Sequence, residues 1–157
     1  MTSADTIVFS NLALADVDAV VEIERQSFDR PWSRTLFLRE LESDISRTIL
    51  ARRTDDRGEI LGYVCRWLVV DEVQILNLAV HPDHRRRGLG RALMQEALDE
   101  AEERGVRTLT LEVRDGNVAA IKLYEALGFE RAGIRRAYYG EGGDGVLMTR
   151  LLGPGRT

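Results

Sequence analysis

A chain of 157 residues, 44% hydrophobic and 31% charged, has the make-up of an ordinary soluble globular protein, and that length buries about two thirds of the unfolded surface in one core. The formal net charge of −4 argues against general nucleic-acid binding, which needs a basic face to displace counterions, and leaves a surface that tolerates a basic peptide. A single cysteine, Cys65, excludes an intramolecular disulfide, and no apolar stretch approaches a membrane span or a secretory signal, so the cytoplasm is the expected compartment.

Residues 1–6 read as frayed and Ile7 to Leu12 as a short strand. Asp16 is placed to cap a helix whose apolar stripe, Val17, Val20, Val21 and Ile23, carries it to about Phe28. Pro31 ends that helix, and Ser33 caps a second one bearing Leu36, Phe37 and Leu41. Trp32 then sits at the corner, either as a staple packing the two helices or as an apolar wall for a substrate groove.

Thr48 to Arg52 and Ile60 to Val70 read as strands around a turn at Asp55-Asp56-Arg57-Gly58. Cys65 lies in the second of them, and neither His81 nor His84 is placed to activate it, which disfavours a thiol nucleophile. His81, Asp83 and His84 share one turn without a further ligand cluster, so no metal site is expected.

Ile75 to Val80 is an apolar run broken by Pro82 and Asp83, and Ala92, Leu93, Ala97, Leu98 and Ala101 then recur at helical spacing. A strand therefore feeds a helix through Arg85-Arg86-Arg87-Gly88-Leu89-Gly90. Helix starts carry unpaired N–H groups and partial positive charge, and glycines admit a ligand to the backbone, so the junction suits a pyrophosphate. The triphosphatase phosphate loop fails on spelling, because Arg91 and Ala92 stand where a lysine and a hydroxyl are needed. A dinucleotide fingerprint is a near miss: Leu93 occupies its third small position, although Glu112 falls near the distance of a ribose-binding acid. An exposed arginine-glycine turn is the remaining alternative.

The central helix ends near Arg104-Gly105. Arg107 to Arg114 alternates Thr108, Thr110 and Glu112 against Leu109, Leu111 and Val113, a strand with one polar and one apolar face. A helix from about Asn117 runs through Ile121 and Tyr124 to Gly128, and strands over 130–138 and 145–152 flank the loop 140–144. Taken alone, Glu112 is a solvated strand residue and Tyr124 a core aromatic. The order of strand, two helices, three strands, helix, strand, helix and two strands predicts an α/β (α+β) fold, a mixed central sheet flanked by helices. The whole chain, 1–157, reads as one domain with its core over roughly 6–152.

The segments Asn-Leu-Ala-Val (77–80), Arg-Arg-Arg-Gly-Leu-Gly (85–90), Leu-Glu-Val-Arg (111–114) and Asn-Val-Ala-Ala-Ile-Lys-Leu-Tyr-Glu-Ala-Leu-Gly-Phe (117–129) resemble the core of the GNAT acetyltransferase superfamily. Phe28 to Ser33 and Arg135-Arg136-Ala137-Tyr138-Tyr139 resemble its subgroup acting on protein N-termini, above all the bacterial ribosomal-protein alanine N-acetyltransferase (RimI-type) family. The resemblance implies a mixed sheet splayed near its central strands, with acetyl-CoA as cosubstrate and no metal. It gives Leu78, Ala79 and Val80 to the pantetheine arm and thioester, Arg85, Arg86, Arg87, Gly88, Leu89 and Gly90 to the pyrophosphate, and Asn117 to the cofactor near its thioester end. Glu112 matches the general base and Tyr124 the general acid, with a main-chain N–H of 78–80 at the oxyanion. Trp32, Tyr138 and Tyr139 would surround the first residues of the acceptor peptide, although the loop after the tyrosines is compressed to glycines around Asp144.

The expected reaction is direct acetyl transfer, in a ternary complex, to the N-terminal alanine of a small-subunit ribosomal protein. No nucleic acid or membrane partner is expected, and the expected state is a monomer or weak dimer. Other N-termini, lysine side chains or a small amine are alternative acceptors, and a non-catalytic acyl-CoA sensor is the alternative of another class.

Overall fold

Hydrophobic alternation of period two and stripes of helical period come out as strands and helices in the predicted order. The computed structural model describes residues 6–54, 58–136 and 143–153. Among them are β1 (Ile7–Asn11), α1 (Val17–Ser27), α2 (Arg34–Glu42), β2 (Ser46–Arg53), β3 (Ile60–Val69), β4 (Glu72–Val80), α3 (Leu89–Glu103), β5 (Thr108–Arg114), α4 (Val118–Ala126), β6 (Glu130–Arg135) and β7 (Gly145–Leu151). The strands hydrogen-bond in the order β1-β2-β3-β4-β5-β7-β6, a mixed sheet of the predicted α/β class. The chain forms two compact units, one made of Met1–Trp67 with Asn77–Ala97 and the other of Leu68–Leu76 with Leu98–Thr157. No helix among the described residues is long and apolar enough to cross a membrane.

In the first unit β1 runs antiparallel to β2, Ile7 opposite Arg53, and β2 antiparallel to β3, Ser46 opposite Trp67. The stripe of α1 does what its spacing predicts: Val17, Val20 and Ile23 are buried with Phe37, Leu50, Ile60, Tyr63 and Ala79 in one cluster. Ser33 caps α2 through its hydroxyl, which accepts the Leu36 N–H at 3.2 Å. Asp16 departs from the expected role. Its carboxylate makes no cap bond to α1 but accepts the Ala13 N–H at 2.9 Å and pairs with Arg52 at 2.5 Å. A guanidinium from β2 outcompetes the helix N–H groups for it.

The end of β4 is held close to β3. The His81 N–H donates to the Leu61 carbonyl at 2.7 Å, and a Cβ placed on Gly62 would stand 2.8 Å from the Ala79 carbonyl oxygen. Only a residue without a side chain lets the backbone of 79–80 lie where it does.

In the second unit β4 and β5 are parallel, registered from Glu72 opposite Thr108 to Ile75 opposite Leu111. The β5–β7 ladder is antiparallel over seven pairs, Thr108–Leu151 to Arg114–Gly145, and β6 lies on the other edge of β7. The β5 alternation is as read from sequence, with Leu109, Leu111 and Val113 buried and Thr108, Thr110 and Glu112 on the half-buried face. At Gly128 (φ 91) α4 stops: the Gly128 N–H donates to the Glu125 carbonyl and the Phe129 N–H to the Tyr124 carbonyl, each at 3.0 Å, a left-handed terminus that a side chain resists. Its apolar contact is Tyr124 against Phe129, ring centroids 6.0 Å apart.

Gly62→Ala should lower the unfolding free energy by about 1–3 kcal/mol, as overpacking against fixed backbone does, read by urea titration; unchanged stability would show that β3 and β4 have slack at Ala79.

Candidate active site

The loop predicted to receive a pyrophosphate has a backbone suited to one. After β4, residues 82–84 form a 3-10 turn in which His81 Nδ1 accepts the Asp83 N–H at 3.1 Å. Arg86 (φ 64) and Gly88 (φ 80) are then both left-handed. Left-handed residues are the element from which anion-binding concavities of successive backbone N–H groups are built. The Gly88 carbonyl accepts the Ala92 N–H at 3.0 Å, so Gly88 caps α3 and the N–H groups of Leu89, Gly90 and Arg91 have no acceptor within the helix. A Cβ on Gly88 would meet nothing within 4 Å, so the glycine answers the backbone conformation and leaves open space before the helix start.

The side chains of this loop divide their roles. The Arg85 guanidinium donates to the Val80 carbonyl and the Ser27 hydroxyl, each at 3.0 Å, fastening the loop to β4 and to the end of α1. Leu89 is buried and anchors the start of α3. Arg86 and Arg87 are exposed. Leu78 and Val80 are half-buried and Ala79 buried, all three beyond the registered pairs of β4 with β5.

The same unit holds a group that sequence reading missed. Glu24, only 1% exposed, accepts from three stretches of chain: the Tyr63 hydroxyl on β3, the Asn77 amide on β4 at 2.5 Å, and the main-chain N–H of Trp32 at 2.9 Å. Burial raises its carboxyl above the ordinary 4.5, against the opposing pull of those three hydrogen bonds. Burial and the facing Glu24 carboxylate push the Tyr63 phenol up in turn. The signal was present in the sequence: Glu24 falls four residues after Val20 and seven after Val17, a charge on the apolar stripe. Trp32 itself packs on Phe37, ring centroids 5.2 Å apart, which is the staple, with the rest of the indole half-buried.

In the second unit Glu112, its side chain 19% exposed, lies 3.5 Å from Arg135 Nε. Its carboxylate occupies the space over Gly145, where a Cβ would come within 2.8 Å of Oε2. Tyr124 is buried on α4, and that burial pushes its phenol up to about 12. Asn117 Oδ1 accepts the Ala120 N–H at 3.2 Å and so caps α4, leaving its amide nitrogen for other partners. Tyr138, Tyr139 and the glycines at 140 and 142 lie outside the described residues. Cys65 is buried and its thiol is pushed up to about 11, chiefly by that burial, so little thiolate exists at neutral pH.

The raised carboxyl of Glu24 fixes a sign. A group bound to its proton more tightly in the folded chain contributes stability that is complete below its unfolded value near 4.5 and is lost as pH rises through its folded value. The difference in unfolding free energy, Glu24→Gln minus wild type, should therefore grow as pH is raised from 4 upward in a series of urea titrations, Tyr63 being the titratable group that faces Glu24. A difference that stays constant with pH would contradict this.

Comparison with known proteins gives one consistent picture. The model of the Acetyltransferase (GNAT) family matches residues 17–129. The ribosomal protein bS18-alanine N-acetyltransferase of Escherichia coli is 43% identical over 130 residues, covering 83% of this chain and 85% of that protein. The crystal structure of the ribosomal-protein-S18-alanine N-acetyltransferase from Escherichia coli has a TM-score of 0.85 to this fold at 37% identity, over 97% of this chain and 99% of that one. Arabidopsis thaliana NAA60, solved in complex with acetyl-CoA, shares the fold with a TM-score of 0.83 at 23% identity, over 94% and 99% of the two chains. With the family model covering most of its length and its motifs on the expected elements, this chain belongs to the GNAT acetyltransferase family.

Proposed function

We propose that this chain moves the acetyl group of acetyl-CoA to the α-amine of an N-terminal alanine of ribosomal protein bS18, by direct transfer in a ternary complex in the cytoplasm. The observation that carries the reading is the pair of left-handed residues, Arg86 and Gly88, at the open start of α3, in a chain 43% identical to the Escherichia coli enzyme of that activity. A diphosphate is the part of coenzyme A that such a helix start recognises.

In the first unit, main-chain groups of Leu78, Ala79 and Val80 receive the pantetheine arm and an N–H of this strand polarises the thioester carbonyl, while Arg86 to Gly90 hold the diphosphate. Arg85 acts one step back, through the loop that it fastens. Trp32 borders the acceptor, together with Tyr138 and Tyr139.

In the second unit, Asn117 offers its amide nitrogen to the cofactor. Glu112 takes the proton that the incoming ammonium must lose before its nitrogen attacks the acetyl carbonyl. Arg135 Nε lies 3.5 Å from its Oε1, which holds the carboxylate on this face of β5. As the tetrahedral intermediate collapses the C–S bond breaks, and Tyr124, protonated throughout the neutral range, supplies the proton that the departing sulfur needs. The acetyl group ends on the amine and coenzyme A leaves as the thiol.

The acceptor is tested by mass spectrometry of an alanine-started peptide, an N-blocked lysine peptide and a polyamine, each with acetyl-CoA. Acetylation of the first alone is expected, acetylation of the others in its place defeats the assigned acceptor, and absence of turnover with any amine favours a sensor. Gly88→Val, which forces a β-branched residue into a left-handed position, should weaken coenzyme A binding at least tenfold by calorimetry; unchanged affinity contradicts this diphosphate site. Glu112→Gln and Tyr124→Phe should keep that affinity and lower kcat by about 10²–10⁴-fold, and wild-type turnover in either would remove that residue from the chemistry.

A further inference from the structure

The assigned chemistry leaves Glu24 unused, and its surroundings are unusual for a structural residue. A carboxylate 1% exposed is bonded to a phenol, a side-chain amide and a main-chain N–H, none of which is a cation. Burying a carboxylate without a counter-charge is unfavourable, and an apolar residue at this position of the α1 stripe would pack beside Val20 at less cost. A leucine there could not hold the Trp32 N–H, and it could not tie that N–H to Asn77, the residue before Leu78. The Trp32 indole is also fixed from its other end, by Phe37.

Resting on the reading that Trp32 borders the acceptor, we propose that Glu24 is a positioning residue for acceptor binding: its carboxylate fixes the backbone at Trp32 relative to Asn77 on β4, within the first unit. The two oxygens serve different ends. Oε1 accepts from Tyr63 and Asn77, and Oε2 accepts from Trp32. Loss of the Oε2 bond frees the backbone at Trp32 and leaves the bonds of Tyr63 and Asn77 to Oε1 in place.

The test uses the intact protein, with amide hydrogen exchange by NMR and steady-state kinetics in which acceptor peptide and acetyl-CoA are varied separately. In Glu24→Gln the amide nitrogen replaces one acceptor oxygen. The Trp32 N–H should then exchange at least tenfold faster while the Leu93 and Met94 amides are unchanged. The peptide KM should rise about tenfold, with the acetyl-CoA KM within twofold and kcat within threefold. Tyr63→Phe keeps the Oε2 bond and should leave Trp32 exchange and peptide KM within threefold. Should Glu24→Gln fail to fold, Glu24→Asp, which withdraws the carboxylate by one methylene, is measured with the same expectations. Unchanged Trp32 exchange overturns the inference, and so does a rise in both KM values together, which a merely structural residue would give. Trp32→Ala separates the two readings: if it leaves peptide KM unchanged, Trp32 does not border the acceptor; if it raises peptide KM while Glu24→Gln does not, only the Glu24 inference fails.

Discussion

Two residues in left-handed conformation, Arg86 and Gly88, give the loop before α3 its shape. For Gly88 that conformation is free of strain, but for Arg86 it costs about 1–2 kcal/mol, and such a conformation persists only where its surroundings over-determine it. The surroundings are Arg85, whose guanidinium reaches back to the Val80 carbonyl and across to Ser27, and Leu89, buried at the first turn of α3. Of the three exposed arginines in a row, Arg85 bonds back to β4 and to the end of α1.

The carboxylates of the two units show how environment assigns roles to one residue type. Glu112 is partly exposed beside the Arg135 cation, on a strand face held by the β5–β7 ladder, the setting in which a proton exchange with a substrate is proposed. Glu24 is buried among neutral donors, a setting in which moving a proton would disturb three hydrogen bonds at once. Tyr124 is set by another device, since the glycine stop after α4 couples its carbonyl and its ring to Phe129.

The order of elements was legible because each carries its own period: the α1 stripe, the β5 alternation and the glycine stop at 128 are local signals, and local signals survive into the fold. The start of β4 was not. Its strand begins at Glu72 rather than Ile75, after a tight turn at Val70 (φ 58) and Asp71 that contains no glycine or asparagine to announce it. Asp16 was legible as a cap by residue type, yet its partner, Arg52, comes from a distant strand. Of the candidate site, the glycine turn at the start of α3 could be read from spelling alone. The anchoring bond of Arg85 could not, because it reaches Ser27, 58 residues away in sequence. Glu24 lay in view as a charge on an apolar stripe, but its meaning needs Tyr63, Asn77 and Trp32 in place around it.

The central claim is that main-chain donors of Arg86 to Gly90 receive the diphosphate of coenzyme A. It is tested most directly by titrating acetyl-CoA into isotope-labelled protein and following backbone amide resonances. The largest shifts are expected on the amides of 86–91, with downfield movement typical of new hydrogen bonds to an anion. Saturable binding that leaves these amides in place and moves those of another part of the chain would contradict it.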